Sequence, residues 1–282
     1  MVLARLAAGS ITGWALLAAA TAPARAEGSA GDGELRYDPL ISATLTVSSG
    51  LGWLATELIW KDQLAPDRCR WCAANGLDER VRDALLWDDV QAAHGTSNVT
   101  AFLLAPAVGY GALALASWHD DHIGNWITDG LIVTEAVVVA STFNQLVKFG
   151  VGRERPFVHA LAPADKDGTA DPAENNLSFY SGHTQLAFAF AASAGTVASM
   201  RRYRWAPLIW GAGGAFAIAT GYLRVAADKP GFSDVVTGAV LGSAIGVATP
   251  YLLHRAGAGA ARGVSVSSLA GGGAVVSLGG RW

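Results

Sequence analysis

Lys148-Phe-Gly-Val-Gly-Arg153-Glu-Arg155-Pro156 sits at the end of a long apolar segment. It carries three cations within eight residues, two glycines that let backbone approach a ligand, and a proline that stops the preceding helix. The charges therefore fall at a helix end, beside an apolar wall. Cations gathered there need an anion, and phosphate is the natural one: Arg matches its oxygens in pairs and Lys meets them as a point charge. A juxtamembrane basic cluster facing lipid headgroups is the plainer reading of the same residues.

Two later stretches bear on that choice. Ser178-Phe-Tyr-Ser181-Gly182-His183-Thr184 offers a hydroxyl, a flexible backbone N–H and an imidazole directly before an apolar helix, whose N-terminus favours anions. Tyr222-Leu-Arg224-Val-Ala-Ala-Asp228-Lys229-Pro230-Gly-Phe-Ser233-Asp234 stands at the mouth of another apolar segment. In order and spacing these stretches resemble the type 2 phosphatidic acid phosphatase family, which also includes bacterial acid phosphatases and vanadium haloperoxidases. The family pattern is a Lys, six residues, then Arg-Pro; then Pro-Ser-Gly-His; then an Arg, a His six residues on, and an Asp four beyond that. Lys148, Arg155 and Pro156 fit the first part. Ser181, Gly182 and His183 fit the second, with Tyr180 where the family has Pro. Arg224 and Asp234 fit the third.

The resemblance covers about residues 97–253. It implies an all-α bundle of about six helices with the site at one end. It implies that Lys148, Arg155 and Arg224 neutralise phosphate oxygens, that Ser181 and the Gly182 N–H add hydrogen bonds, and that His183 is the general acid. Asp234 would orient the nucleophilic His. That His is absent, because Pro230 occupies its position. Proline has no side-chain nucleophile, and losing a covalent nucleophile commonly costs many orders of magnitude in rate. His159, His254 and Asp228 are the replacements the sequence offers, and nothing in it places any of them beside phosphate. The implied substrates are phosphate monoesters, either a lipid phosphate or pyrophosphate or a small soluble ester. No metal or other cofactor is implied. An inactive phosphate-binding protein is the second reading. A transporter using Asp129 and Glu135 is a third.

The composition agrees with a bilayer. The chain of 282 residues is 51% hydrophobic and only 15% charged, where about 25% is usual for a soluble domain. Its net charge of −3 gives no reason to expect nucleic acid. Residues 1–26 read as a secretory signal, with Arg5, an apolar run and the small-x-small site Ala24-Arg-Ala26; an uncleaved anchor is the competing reading. Residues 27–96 form an N-terminal segment with a first apolar helix over Leu40–Trp60 and a short amphipathic helix near Asp78–Trp87. Within it, Cys69 and Cys72 after a signal favour a local disulfide over zinc or free thiols.

Residues 97–255 form the phosphatase-like helical domain. Ser97–Trp118 is charge-free and long enough to span, with a kink expected at Pro106. His119-Asp-Asp-His122 reads as a solvated turn. Glu135 reads as a hydrogen-bonded internal residue of the next helix. Residues 256–282 form a tail with a short β-hairpin around a glycine turn. Placing Arg201–Arg204 inside, as basic connections prefer, turns the motif end and the cysteines toward the periplasm. A soluble secreted bundle is the alternative.

Overall fold

The computed structural model describes residues 33–255, 263–268 and 274–279. The expected signal over residues 1–26 and the glycine turn of the tail lie outside them. Ten α-helices are described: α1 (Pro39–Leu58), α2 (Lys61–Leu64), α3 (Gly76–Leu85), α4 (Val90–Val99), α5 (Ala105–His119), α6 (Trp126–Val151), α7 (Pro156–His159), α8 (Gly182–Met200), α9 (Ala206–Ala226) and α10 (Phe232–His254). The count of about six is therefore too low. Apolar runs reveal only the long helices, whereas α2 and α7 are four residues each and leave no such run. The backbone of Gly263–Ser268 pairs antiparallel with that of Ala274–Gly279.

The axis of the bundle is α8. Every residue from Thr184 to Ala198 except Phe188 is buried. Its small side chains let α10 approach closely. A Cβ on Gly238 would lie 2.7 Å from the Ser181 carbonyl oxygen, and one on Gly242 only 2.5 Å from that of Gln185. The four-residue spacing of these glycines is the small-residue stripe that close helix packing in membranes favours. Four helical stretches are long and apolar enough to cross a membrane: Val90–His119, Ile123–Val151, Ala206–Ala226 and Phe232–His254. Large apolar side chains face outward along them, with Leu146 63%, Ile218 65% and Val240 60% exposed. In water that surface would be an association hazard; in lipid it is the expected exterior.

Two breaks fix the geometry near the site. Thr100–Leu104 is a π-helical turn between α4 and α5, directly ahead of Pro106. A π-helical turn at this place accommodates the missing N–H of the proline. The helix carrying Ser97–Trp118 therefore begins already at Val90. At the other break, α6 ends on Gly152 in the left-handed conformation (φ 59°), its N–H bonded to the Lys148 carbonyl at 3.0 Å. This glycine cap, rather than Pro156, stops the helix. Pro156 instead begins α7.

The opposite end of the bundle is tied by Asp129. Its carboxylate accepts from Arg201 Nε at 2.8 Å and the Tyr203 hydroxyl at 2.7 Å. Asp129 and Lys148 are nineteen residues apart on α6, roughly 28 Å along a helix. That separation matches a hydrocarbon core of about 30 Å. The expected internal hydrogen bond of Glu135 is not made. Both its oxygens lack a hydrogen-bond partner, and His254 Nε2 lies 3.4 Å from one of them.

Candidate functional site

A cavity of about 740 Å³ opens at the end where α6 stops and α8 begins. Lys148, Arg155, Ser181, Gly182, His183, Arg224 and Pro230 all line it. Residues separated by more than eighty positions are thus brought to one wall.

Each cation is delivered differently. Lys148 lies in the last turn of α6, and Arg224 in the last turn of α9. Arg224 is 4% exposed, and its Nε has no hydrogen-bond partner. Among the described residues, neither Lys148 nor Arg224 has a carboxylate within ion-pair distance. A buried guanidinium without a counter-charge is costly, so a cavity that gathers two such cations is built for an anion. Arg155 is already occupied. It pairs with the Glu174 carboxylate, and its Nε donates to the Glu174 carbonyl at 2.7 Å. Glu174 also pairs with Lys61 at the start of α2. Arg153, the third cation of the opening stretch, does not face the cavity at all. It is held by Asp78 at 2.6 Å and by Asp234, with Trp71 4.3 Å from its guanidinium carbon. Lys229 brings a further positive group to the wall, where burial and then the Arg155 and Arg224 charges press its ammonium below the usual lysine range.

The Ser-Gly-His turn is rigidly held. Asn144 Nδ2 of α6 donates to the Tyr180 carbonyl at 2.9 Å. Ser181 is the N-cap of α8, its hydroxyl 2.8 Å from that of Thr184. A Cβ on Gly182 would lie 3.0 Å from Asn144 Oδ1 and 3.4 Å from Lys148 Nζ. Only glycine leaves both groups their present room. The α8 N-terminus and its dipole therefore face the same space as Lys148. Gln185 Nε2, buried and without a partner, adds an unused donor on this wall. His183 Nε2 lies 2.7 Å from Asn98 Oδ1, and its ring stands edge-on to Phe102 at 4.8 Å.

Asp234 does not line the cavity. It accepts from Arg153, from Ser178 Oγ at 2.6 Å and from the Gly231 N–H at 2.9 Å. Of the replacements offered for the missing histidine, His159 and His254 do not line the cavity, whereas Asp228 lines it but is committed to an ion pair. His159 Nδ1 lies 3.0 Å from Glu154, and His254 is buried against Glu135 with Nδ1 3.0 Å from the Arg36 carbonyl. Asp228 is clamped by Arg82 through two contacts of 2.6 Å. Sequence reading missed His94 and Asn98. Both lie on α4, ahead of the motif-bearing segment, and no local pattern marks them.

Cys69 and Cys72 form a disulfide in a loop docked on the same end, where Arg70 N donates to the Gly152 carbonyl at 2.9 Å. Among the described residues no cluster of metal-ligating side chains is present.

The described residues thus form a helical bundle with cationic side chains gathered around a cavity at one end. Residues 129–258 match the family model of the PAP2 superfamily, in agreement with the resemblance carried by the three motifs. The crystal structure of a transmembrane PAP2 type phosphatidylglycerolphosphate phosphatase from Bacillus subtilis is similar at 17% identity and a TM-score of 0.44, over 74% of this chain and 93% of that one. No curated protein matches the chain.

Proposed function

We propose that the protein is a membrane phosphatase of the PAP2 type that hydrolyses phosphate monoesters of lipids. The observation that carries this reading is the convergence of Lys148 and Arg224, both without carboxylate partners, on the α8 N-terminus. Such an arrangement binds a doubly charged phosphate and stabilises the charge that moves onto its oxygens in the transition state. His183 acts as general acid toward the leaving oxygen. The cavity supports a lipid substrate, because Trp53, Leu54 and Leu58 of α1 line it as well as the cations. An acyl chain has an apolar wall to follow, and the headgroup a polar one. Pyrophosphate and small soluble esters use only the second wall.

The periplasmic side is the proposed side of the site. Arg201–Arg204 lies at the opposite end of the bundle, and the disulfide lies at the site end, which suits an oxidising space. A binding protein without turnover is favoured by one residue, Pro230, which lines the cavity where the family carries its nucleophile.

The test is phosphate release from phosphatidic acid in detergent micelles and from p-nitrophenyl phosphate, with calorimetry of inorganic phosphate alongside. The lipid phosphatase reading expects release from phosphatidic acid that Arg224→Ala and Lys148→Ala abolish. Phosphate binding without release would move the conclusion to the binding protein. Neither binding nor release would end both readings.

A further inference from the structure

Six histidines occur in the chain, and only two reach the cavity, His183 and His94. His94 comes from α4, outside the matched family segment. Its Nδ1 lies 3.1 Å from Arg224 Nη1. A guanidinium only donates, so the nitrogen facing it is the one that carries a free lone pair, and Nε2 holds the proton. That lone pair is aimed at the donor edge that a phosphate oxygen would occupy. The helix is locked in this position. Ser97 Oγ takes a hydrogen bond from Arg224 Nη1 at 3.2 Å, and Asn98 meets His183 at 2.7 Å. Positions 94, 97 and 98 follow the three- and four-residue spacing of one helix face, so all three address the site together.

Other nucleophiles are spoken for. Asp228 is held by Arg82, Asp234 by Arg153 and Ser178, and Ser181 caps α8. His119 ends α5 and His122 lies on the turn that follows, where Asp120 meets Arg204 at the Asp129 end of the bundle.

We propose that His94 is the nucleophile on phosphorus, entering from α4 to do what Pro230 cannot; this rests on the phosphatase reading above. A phosphate oxygen takes over the Arg224 Nη1 hydrogen and frees Nδ1. The Nδ1 lone pair attacks phosphorus and forms a P–N bond, the P–O bond to the leaving group breaks, and the departing alkoxide takes a proton from the imidazolium form of His183. Water then attacks phosphorus and gives a proton to neutral His183. The P–N bond breaks, its electron pair returns to Nδ1, and inorganic phosphate leaves. Atoms and charge return to their starting state with one ester bond hydrolysed.

The experiment uses the full chain in detergent with phosphatidic acid labelled in its phosphate. A rapid quench is expected to capture a phosphoenzyme stable to base and labile to acid, mapped by mass spectrometry to His94. His94→Asn keeps an acceptor for Arg224 and so tests the chemistry apart from folding. It is expected to lose the label and at least about 10³-fold in hydrolysis, while calorimetric phosphate binding stays within about threefold. His94→Gly is expected to regain hydrolysis with added imidazole. His159→Ala is expected to behave as the natural protein. Hydrolysis that survives in His94→Asn, or a label on another residue, overturns the proposal and leaves the phosphatase reading standing. Phosphate binding without any turnover overturns it in favour of the binding protein. Absence of both binding and turnover removes the phosphatase reading and this proposal with it.

Discussion

Ser178 Oγ donates to Asp234 Oδ2 at 2.6 Å, so the carboxylate that the PAP2 family pairs with a histidine is paired here with a serine. Arg153 holds the other oxygen, and the Gly231 N–H completes the set. A residue that orients the nucleophile in the family has become a tie between α10 and the segment that follows α6. Asp234 is fully buried and Arg153 nearly so. Truncating Arg153 leaves two buried carboxylates, Asp234 and Asp78, without their counter-charge. Arg153→Ala is expected to lower stability by about 3–5 kcal/mol. Thermal unfolding in detergent checks it, and an unchanged midpoint would contradict the role given to this pair.

Pro230→His restores the residue type of the family without restoring its environment. The carboxylate meant to orient that histidine is engaged by Ser178, Arg153 and Gly231. Hydrolysis of phosphatidic acid by this variant is expected to stay within about tenfold of the natural protein, a difference of about 1.4 kcal/mol in transition-state energy. A gain of several orders of magnitude would mean that Asp234 readily turns back to its family role.

Glu174 places a carboxylate on Arg155 where a phosphate is expected to bind. Removing that competitor should help the ligand. Glu174→Gln is expected to tighten inorganic phosphate binding about fivefold, equivalent to about 1 kcal/mol for a partly exposed pair. Calorimetry measures it. Weaker binding would show that Glu174 positions Arg155 for phosphate and does not compete with it.

Gly182 has Asn144 Oδ1 and Lys148 Nζ within 3.4 Å of where a Cβ would stand. Gly182→Ala must push one of them. Phosphate affinity is expected to fall about tenfold or more, since displacing either disturbs the turn or the cation. Unaltered affinity would show that the cradle has slack.

Asp78 supplies the pH dependence. Burial alone would raise its carboxyl, but the Ser233 backbone N–H, the Ser233 hydroxyl and the Arg153 guanidinium outweigh that and hold it below the usual carboxylate range. A carboxyl depressed in the folded state binds fewer protons than in the unfolded chain. Its contribution to stability is therefore complete above the unfolded value of about 3.9 and is lost as pH falls through the folded one. Asp78→Asn is expected to lower stability at neutral pH and to flatten the loss below about pH 4. Parallel unfolding curves for the two proteins across that range would contradict this.

The sequence by itself determined the helical class, the apolar spans and the three motifs, because helix periodicity, cation spacing and glycine placement are local properties of the chain. It also identified Pro230 as the departure from the family, since a missing side chain needs no structure to be noticed. Local pattern could not tell which charges meet. Arg153 and Arg155 stand two residues apart and look alike; the turn after Gly152 sends one to Asp78 and Asp234 and the other to the cavity. Asp228 and Asp234 were equally ambiguous until Arg82 and Ser178 were seen beside them. His94 is the clearest case. Nothing near it in the chain marks it as part of a site, and its partner Arg224 is 130 residues away. Only the packing of α4 against α9 brings the two together, because contacts between distant helices depend on how the bundle closes and leave no periodic trace in either helix.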